Sequence, residues 1–452
     1  MNIYFLSLGC DKNLVDSEML IGLLTEAGHK LVFDEGDADI IIVNTCSFIA
    51  DATDESVQNV LRLAEYKSNC CKALVVAGCM AKRYGKETLR DIPEVDAIIP
   101  PEEYKAIVRI IDGLVQGGAP INTEQCYDER PLTDLCQDNR PTDADYIKRI
   151  PATPSHFAYL KIAEGCDNCC TYCTIPSIRG RYVSRSTDGL VAETRMLAEK
   201  GVKELILVAQ DTALYGIDLY GKPQLHVLLQ RLSKIDGIIR LRVMYCYPGH
   251  ITDLFISEMA NNPKICHYLD MPIQHGCTSV LKRMGRKGTT EDIQTVVNKL
   301  RNAVPDIVLR TSIIVGFPGE TEEEFNELLR LVEDVRFDRL GVFAYSREDG
   351  TPAAKMKGQL KKDVKASRRE QLMRLQQRIS TEKCQALIGS DLEIIVDGYL
   401  SDDGVYCGRS FMDCYDVDGF VFFESSRELY TGDICRVRIT DGFAYDLRGH
   451  II

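Results

Sequence analysis

Short apolar runs alternate with amphipathic segments in two long stretches of this chain, and this alternation limits the possible folds most strongly. In residues 1–115 the runs "NIYFLSL", "ADIIIVNT" and "KALVVAG" alternate with helical patterns such as "DSEMLIGLLTEAG" and "DESVQNVLRLAEYK". Runs of Ile, Val and Leu without polar alternation are typical of parallel strands that helices cover on both faces. The first stretch therefore predicts an α/β domain with a parallel sheet.

The same alternation returns over residues 156–350, where we find six candidate strands. They are "FAYLKIA", "ELILVAQ", "IRLRVMY", "HYLDMPI", "IVLRTSIIVGF" and "RLGVFAY". Six strand–helix units favour a partial (β/α)6 barrel over a doubly wound sheet, although periodicity alone does not separate the two. Thr321 and Glu324 in "TEEEF" have the spacing of a capping box and predict the start of a helix.

The other segments differ in character and predict a division into domains. Residues 116–155 are rich in Pro, Gly, Asp and Thr, which is typical of a linker. Residues 355–383 predict a charged helix, and four apolar runs between Asp/Gly turns after it predict a small antiparallel β-barrel. We expect an N-terminal domain (1–118), a linker (119–152), a barrel domain (153–383) and a C-terminal barrel (384–452).

Composition narrows the class of protein. The chain has 452 residues, 18 cysteines and a net charge of −13. In a long chain with no secretory signal, clustered cysteines bind metal more often than they pair with each other. The acidic balance argues against a general nucleic-acid binder and permits a basic protein as partner. No signal peptide and no apolar run of about 18 residues is found, so we expect a cytoplasmic protein without a membrane partner.

Three cysteines in the stretch "GCDNCCTYC", namely Cys166, Cys170 and Cys173, have the spacing C-x3-C-x2-C. They follow the first candidate barrel strand, so we expect them at the end of the barrel where such enzymes place their chemistry. Three thiolates on one loop can hold three irons of a four-iron cluster and leave the fourth iron open. A zinc knuckle and ordinary buried cysteines are the alternatives, but no nearby histidine at zinc-finger spacing supplies the fourth ligand that zinc needs. Cys169 falls outside the spacing and is interpreted as a loop residue.

A second set of three cysteines lies in the first domain. Cys10, Cys46 and Cys79 each follow a candidate parallel strand. The carboxyl ends of parallel strands meet at one edge of an open sheet, which is where ligands bind. Three thiolates there could hold a second four-iron cluster. The alternative is that they are ordinary buried cysteines, which are common at strand ends.

These motifs resemble a known family. The C-x3-C-x2-C spacing with Tyr172 before its last cysteine resembles the radical S-adenosylmethionine (SAM) enzymes. "SLGCDKNLVDSE", "NTCSFIADATDES" and the Gly-Cys pair at Cys79 resemble the methylthiotransferase family within that superfamily. The resemblance covers nearly the whole chain, including a C-terminal barrel like the TRAM domain. It implies an enzyme that replaces C–H with C–S–CH3.

The resemblance also implies cofactors and site residues. It implies two [4Fe-4S] clusters with all six cysteines as ligands and two SAM molecules per turnover. Tyr172 is implied as a cofactor-binding residue, the residues after it would flank the adenine of SAM, and Gln210 and Asp211 in "LVAQDTALYG" would approach SAM or substrate. "LDMPIQHG" and "IIVGFPGET" resemble further barrel motifs of the family. An electron donor and a sulfur donor are implied as partners, and no catalytic residue is identified.

The family divides between two substrates, tRNA adenosine and an aspartate of a small-subunit ribosomal protein. Lys12-Asn13 after the first cysteine and "NTCSFI" resemble the protein branch, although Asp11 stands where that branch usually has Pro. The resemblance thus implies modification of the aspartate β-carbon in ribosomal protein twelve, either free or in the 30S subunit. The alternatives are a tRNA-adenosine methylthiotransferase and a non-catalytic iron–sulfur protein for electron transfer or sensing.

Charge gives an independent indication of the substrate. Residues 385–452 contain five arginines against thirteen acids, a net charge of −8. A barrel that bound tRNA phosphates should be basic, whereas an acidic barrel suits a basic protein. A merely solubilising acidic surface is the alternative. Residues 355–378 contain nine basic residues against two acids and could touch RNA, or could form a solvated helix face.

Overall fold

The computed structural model describes residues 1–115 and 139–452, which form two compact units. Described residues of the first unit fall within Met1–Ala152, Glu164–Asp167 and Thr174–Met196, and those of the second within Thr153–Ala163, Asn168–Cys173 and Leu197–Ile452. Across these described ranges, no helix is both long and apolar enough to cross a bilayer.

The first unit is built on a five-stranded parallel sheet. Its strands are β1 (Asn2–Ser7), β2 (Lys30–Val32), β3 (Ile40–Thr45), β4 (Ala73–Gly78) and β5 (Val95–Ile99). They lie in the order β2-β1-β3-β4-β5, and every neighbouring pair is parallel. All residues of β3 and β4 are buried, because helices cover both faces of the sheet. The strand order reverses between β1 and β3, as in flavodoxin-like sheets, and this switch point is where such sheets bind ligands.

Helices connect and flank these strands. They are α1 (Asp11–Glu26), α2 (Ala50–Ala64), α3 (Cys79–Asp91), α4 (Ile107–Val115), α5 (Asp143–Ile147), α6 (Ile175–Arg179) and α7 (Thr187–Glu199). The sequence predicted α1 and α2 but started α1 at Asp16, because the polar residues before it mask the helical pattern. Residues 119–138 of the predicted linker at 119–152 lie outside the described residues. The remainder of the linker contains α5.

A second parallel sheet forms the centre of the second unit. The strands that follow along the chain are β6 (Phe157–Lys161), the two-residue β7 (Ala163–Glu164) and β8 (Val183–Ser184), β9 (Glu204–Val208), β10 (Arg240–Val243), β11 (Ile265–Asp270), β12 (Val308–Val315) and β13 (Arg339–Ala344). Six of them form an open sheet in the order β13-β12-β11-β10-β9-β6. An open sheet of parallel strands in chain order is a partial barrel, so the predicted (β/α)6 architecture and all six candidate strands are confirmed.

Helices between these strands complete the partial barrel. They are α8 (Ile217–Tyr220), α9 (Leu225–Leu232), α10 (Asp253–Asn261), α11 (Thr278–Arg283), α12 (Thr290–Ala303), α13 (Glu322–Val335) and α14 (Lys362–Ala386). The predicted capping box begins α13: Thr321 Oγ1 accepts from the Glu324 N–H, and the Glu324 carboxylate accepts from the Thr321 N–H. The predicted charged helix starts later than residue 355, since Pro352 and Gly358 interrupt the helical backbone before α14.

The C-terminal segment forms a closed five-stranded barrel. Its strands are β14 (Asp391–Leu400), β15 (Val405–Arg409), β16 (Val421–Glu424), β17 (Ile434–Gly442) and β18 (Leu447–Ile451). The prediction of an antiparallel barrel is correct for four neighbouring pairs, but β16 and β18 run parallel. A closed ring with an odd number of strands cannot be antiparallel throughout, so one parallel pair is required. The sequence analysis did not predict β18, and it therefore did not predict how the barrel closes.

Buried charges join the C-terminal barrel to the open sheet within the second unit. Glu204 at the start of β9 binds Arg242 and Arg409, each at 2.8 Å. Arg409 also binds Asp397 at 2.9 Å, and His156 Nε2 lies 2.7 Å from the same carboxyl group. Buried charges are tolerated only when they are paired and hydrogen-bonded in this way. Part of the barrel's acidic composition is therefore structural.

Candidate functional site

The sheet of the first unit brings Cys10, Cys46 and Cys79 to one edge. Cys10 follows β1 as the N-terminal cap of α1, Cys46 follows β3 directly, and Cys79 is the first residue of α3 after β4. Since β1, β3 and β4 are adjacent and parallel, all three thiols lie at the carboxyl edge, at the switch point of the sheet. Cys46 and Cys79 are buried, whereas Cys10 is exposed, so the edge is open on one side.

Two glycines allow the strand ends to approach each other this closely. Gly9 has φ +92°, and a Cβ on it would lie 2.6 Å from Cys46 Cβ and 3.0 Å from its Sγ. Gly78 also has φ +92°, and a Cβ there would lie 2.4 Å from Asn44 Oδ1. Only glycine adopts this backbone without strain and leaves room for the neighbour. Each Gly-Cys pair thus presents its thiol from a tight turn.

Burial and two neighbouring thiols both raise the pKa of Cys46. Burial raises its pKa to about 11, and the nearby thiols of Cys79 and Cys10 add to the increase. The free Cys46 side chain is therefore a neutral thiol at pH 7, and a metal centre must displace its proton on binding.

The donor set fits an iron–sulfur cluster better than a single metal ion. All three groups are thiols, which are the ligands that such clusters use. Across residues 1–115 and 139–452, no three His, Cys, Asp or Glu side chains are arranged so that they could hold one metal ion. A cluster binds each thiolate through a different iron, so its ligand sulfurs stand farther apart than those around one ion. Cys10, Cys46 and Cys79, at the ends of three adjacent parallel strands, supply three such thiols at one edge of the sheet.

The loop between β7 and α6 carries the other three cysteines. The Cys166 N–H donates to the Gly180 carbonyl at 3.2 Å, and the Cys173 N–H donates to the Cys170 carbonyl at 3.1 Å. Cys166, Cys170 and Cys173 are all partly buried, whereas Cys169 is exposed. The loop follows β6 closely, so the predicted position at the carboxyl end of the first barrel strand is observed. Cys169 has the exposure of a loop residue.

Tyr172 packs beside a cationic side chain of the second unit. Arg286 Nη1 donates to the Tyr172 hydroxyl at 3.4 Å, and its guanidinium lies 4.2 Å from the ring centre of Tyr247. Burial raises the pKa of Tyr172, so the phenol is neutral. The π-face of the Tyr247 ring stabilises this guanidinium, while the Tyr172 hydroxyl accepts one of its N–H groups. Neither Arg286 nor Tyr247 could be selected from the sequence, because both lie far along the chain from the cysteine loop.

Asp211 directly follows Gln210 after β9 and is almost completely buried. Its carboxylate accepts from Asn168 Nδ2 at 3.2 Å and from the Tyr247 N–H at 3.3 Å, and it lies 2.7 Å from His250 Nδ1. A carboxylate with three polar neighbours orients them rather than presenting itself to a ligand. Asn168 belongs to the cysteine loop, so Asp211 anchors that loop to the sheet. Gln210 is half-buried beside it.

The motif "LDMPIQHG" and the motif "IIVGFPGET" meet inside the second unit. His275 is buried and accepts the Cys277 N–H through Nδ1 at 3.0 Å. Glu320 lies 3.6 Å from His275 and binds Arg368 at 2.6 Å. A hydrophobic cluster that includes Cys277 and Phe317 contains residues of this region, and Tyr172 packs against it. The region of these two motifs thus packs against Tyr172 of the cysteine loop.

Family comparisons divide the chain into three regions. Residues 2–100 match the family described as "Uncharacterized protein family UPF0004", residues 160–332 match the radical SAM superfamily, and residues 388–452 match the TRAM domain. Members of the radical SAM superfamily bind SAM and an iron–sulfur cluster, and this chain carries that domain. The three matches correspond to the first sheet, the partial barrel and the closed barrel.

Known structures share this fold at low sequence identity. The radical S-adenosylmethionine methyltransferase TsrM from Kitasatospora setae is 14% identical, with a TM-score of 0.58 over 78% of this chain and 73% of that one. The cobalamin-dependent radical enzyme OxsB is 13% identical, with a TM-score of 0.51 over 82% of this chain and 56% of its own. These likenesses show the fold alone.

Curated relatives are far closer in sequence. The ribosomal protein uS12 methylthiotransferase RimO of Lachnoclostridium phytofermentans is 48% identical over 99% of both chains. Proteins of the same name from Desulforamulus reducens and Clostridioides difficile are 46% and 44% identical, covering 99–100% of this chain and 98–99% of their own. With these matches over its whole length, the chain belongs to the RimO family of radical-SAM methylthiotransferases.

Proposed function

We propose that this enzyme transfers a methylthio group to the β-carbon of an aspartate in ribosomal protein uS12, using two [4Fe-4S] clusters. The convergence of Cys10, Cys46 and Cys79 at the switch point of the first sheet carries this proposal. A radical-SAM enzyme that only abstracted hydrogen would need one set of three cysteines, and this chain has two. The relatives named for uS12 support the choice of substrate.

Each set of cysteines is assigned a separate cluster. Cys166, Cys170 and Cys173 would hold the cluster at which SAM is bound, and Cys10, Cys46 and Cys79 would hold the second one. When bound, these groups supply a carbon-centred radical, a methyl group and a sulfur atom, with one SAM consumed as methyl donor and a second cleaved reductively. The chain's own task is to bind, orient and shield these groups. An electron donor and a sulfur donor complete the reaction as partners.

Residues around the cysteine loop would bind and orient SAM. Tyr172 would help to bind SAM, whose adenine the residues after it would flank, and its neutral phenol is held by Arg286. Asp211 would act through Asn168 and His250, which it positions, rather than by direct contact. Gln210, half-buried beside Asp211, remains the candidate for a direct contact with SAM or substrate.

The exposed charge of the C-terminal barrel supports a protein substrate less strongly than its composition does. Seven acids but only four arginines of residues 385–452 are exposed, a net charge of −3. Asp397, Asp413 and Asp418 are instead paired with arginines of the second unit that are buried or partly buried. The turn at Asp402 and Asp403 keeps two exposed acids together. An acidic turn of this kind favours a basic protein over a nucleic acid.

A competition experiment tests the substrate. The reconstituted enzyme receives SAM, a reductant and sulfide, together with 30S subunits and tRNA that both lack the modification. Mass spectrometry of both substrates should show a methylthio gain on the uS12 aspartate and none on tRNA. A gain on adenosine alone would establish the tRNA enzyme instead, and SAM cleavage without either product would contradict both. A ribosomal substrate would also place the reaction in the cytoplasm.

A further inference from the structure

A buried arginine reaches one of the thiols at the edge of the first sheet. Arg179 ends α6, and its side chain is only 2% exposed. Its Nη2 donates to Cys79 Sγ at 3.3 Å and to Asn13 Oδ1 at 3.0 Å. Its Nη1 donates to Asp16 at 2.6 Å and to Glu164 at 3.2 Å. All these residues belong to the first unit.

The two arms of this guanidinium have different partners. Nη1 is directed to the two carboxylates, which balance the buried positive charge. Nη2 is directed to a neutral amide and a sulfur, so one N–H group is committed to Cys79. The amide of Asn13 is itself fixed, because its Nδ2 donates to the Leu8 carbonyl at 2.6 Å. The contact with Cys79 is therefore held in place from several sides.

The elements that hold Arg179 are those that present the cysteines. Asn13 and Asp16 lie in the first turns of α1, directly after Cys10, and Cys79 begins α3. The residue after Arg179 contacts the cysteine loop, because the Gly180 carbonyl accepts the Cys166 N–H at 3.2 Å. One short segment thus contacts Cys79 through a side chain and Cys166 through the backbone.

We propose that Arg179 is a positioning residue that sets the reduction potential of the cluster assigned to Cys10, Cys46 and Cys79. The inference rests on the proposed function, which supplies that cluster. An N–H group and a positive charge beside a ligand sulfur stabilise the added electron of a reduced cluster and so raise its potential. Asp16 binds the same guanidinium and carries a negative charge. Its charge should therefore lower the reduction potential of the cluster.

The test uses the full chain with Cys166, Cys170 and Cys173 replaced by alanine, so that only the first-unit cluster can form. After anaerobic reconstitution, iron content is measured and the midpoint potential is obtained by a redox titration followed by electron paramagnetic resonance. Arg179→Gln should lower the midpoint potential while iron content stays the same. Asp16→Asn should raise the potential. A residue with a merely structural role would not give shifts of opposite sign.

A matched control and a second variant complete the design. Arg62→Gln makes the same change in charge in the same unit at a half-exposed arginine bound to Glu35, and should leave the potential unchanged. Should Arg179→Gln fail to fold, the double variant Arg179→Gln/Asp16→Asn removes both buried charges together. It should fold, and it should keep a lower potential than the parent, because the contact with Cys79 is lost.

The outcomes separate this inference from the proposed function. Potentials of Arg179→Gln and the double variant that match the Arg62→Gln control, in proteins with full iron content, would overturn the role of Arg179 alone. Shifts of the same sign in Arg179→Gln and Asp16→Asn would also overturn it. A parent protein that binds no iron would overturn the second cluster itself, and this inference with it.

Discussion

Arg409 and Glu204 form an ion pair of 2.8 Å in which neither side chain is exposed to solvent. Arg409 ends β15 of the closed barrel and Glu204 begins β9 of the open sheet, so the pair fastens one to the other within the second unit. Arg242 binds the same carboxylate from β10. The C-terminal barrel is thus attached to the open sheet through buried charges, which are not accessible to a protein or nucleic acid that binds at the surface.

Loss of the shared carboxylate should destabilise the second unit strongly. Glu204→Gln leaves Arg242 and Arg409 buried without their common counter-charge, which costs about 3–5 kcal/mol of unfolding free energy. Urea denaturation of the full chain measures this change. Asp391→Asn is the matched control, because its pair with Arg438 lies at the surface, where solvent screening leaves such a pair little effect on stability. Equal effects of the two substitutions would contradict this account.

The same carboxylate predicts a dependence of stability on pH. Burial by itself would raise the pKa of Glu204, but Arg409 and Arg242 outweigh it and hold the pKa at about 2. Its ordinary value is 4.5. A lowered pKa contributes stability that is complete above pH 4.5 and is lost as the pH falls toward 2. The difference in unfolding free energy between the parent and Glu204→Gln should therefore shrink between those pH values. A difference in unfolding free energy that stays constant over this pH range would show that the ion pair does not cause it.

Much of the fold could be predicted from the sequence, and the omissions have physical causes. Strands such as β3 and β4 are continuous apolar runs, because helices bury them on both sides, and they were recognised. The edge strand β2 has three residues and β18 alternates short apolar and polar positions, so neither gives a strong pattern. The domain boundaries at 118, 152 and 383 stay predictions.

Backbone geometry at Gly78 should be required for the first-unit cluster. Gly78→Ala places a Cβ 2.4 Å from Asn44 Oδ1 at φ +92° and should displace Cys79, at a cost of about 1–3 kcal/mol. Iron content after reconstitution should fall by roughly half, because one of two four-iron clusters is lost. Gly28→Ala is the control, since Gly28 has φ +91° but no atom within 4 Å of the added Cβ. It should retain full iron content.

The network around Asp211 should control SAM cleavage. Asp211→Asn removes the charge that orients Asn168 and His250, and a hydrogen bond to a charged group contributes about 1.5–3 kcal/mol. The rate of 5′-deoxyadenosine formation should fall by roughly tenfold or more. Asp253→Asn is the control, because that side chain is exposed and pairs at the surface with Lys299. Unchanged cleavage in Asp211→Asn would remove Asp211 from the account of SAM binding.

The site was predicted less completely than the fold. Spacing and strand order pointed to the six cysteines, because local sequence determines where each strand ends. Arg179, Arg286 and His250 were not predicted, since their roles depend on packing between residues that are distant in sequence. The approach of Asp211 to SAM or substrate stays a prediction, and its buried carboxylate orients neighbouring groups, which only the contacts reveal.

The two sets of cysteines should have different tasks, and removing one set separates them. Cys10, Cys46 and Cys79 are replaced together by alanine, and the reconstituted protein is given SAM, a reductant, sulfide and unmodified 30S subunits. The account predicts that 5′-deoxyadenosine still forms, because Cys166, Cys170 and Cys173 are intact, and that uS12 gains no methylthio group. Methylthiolated uS12 from this variant would contradict the account.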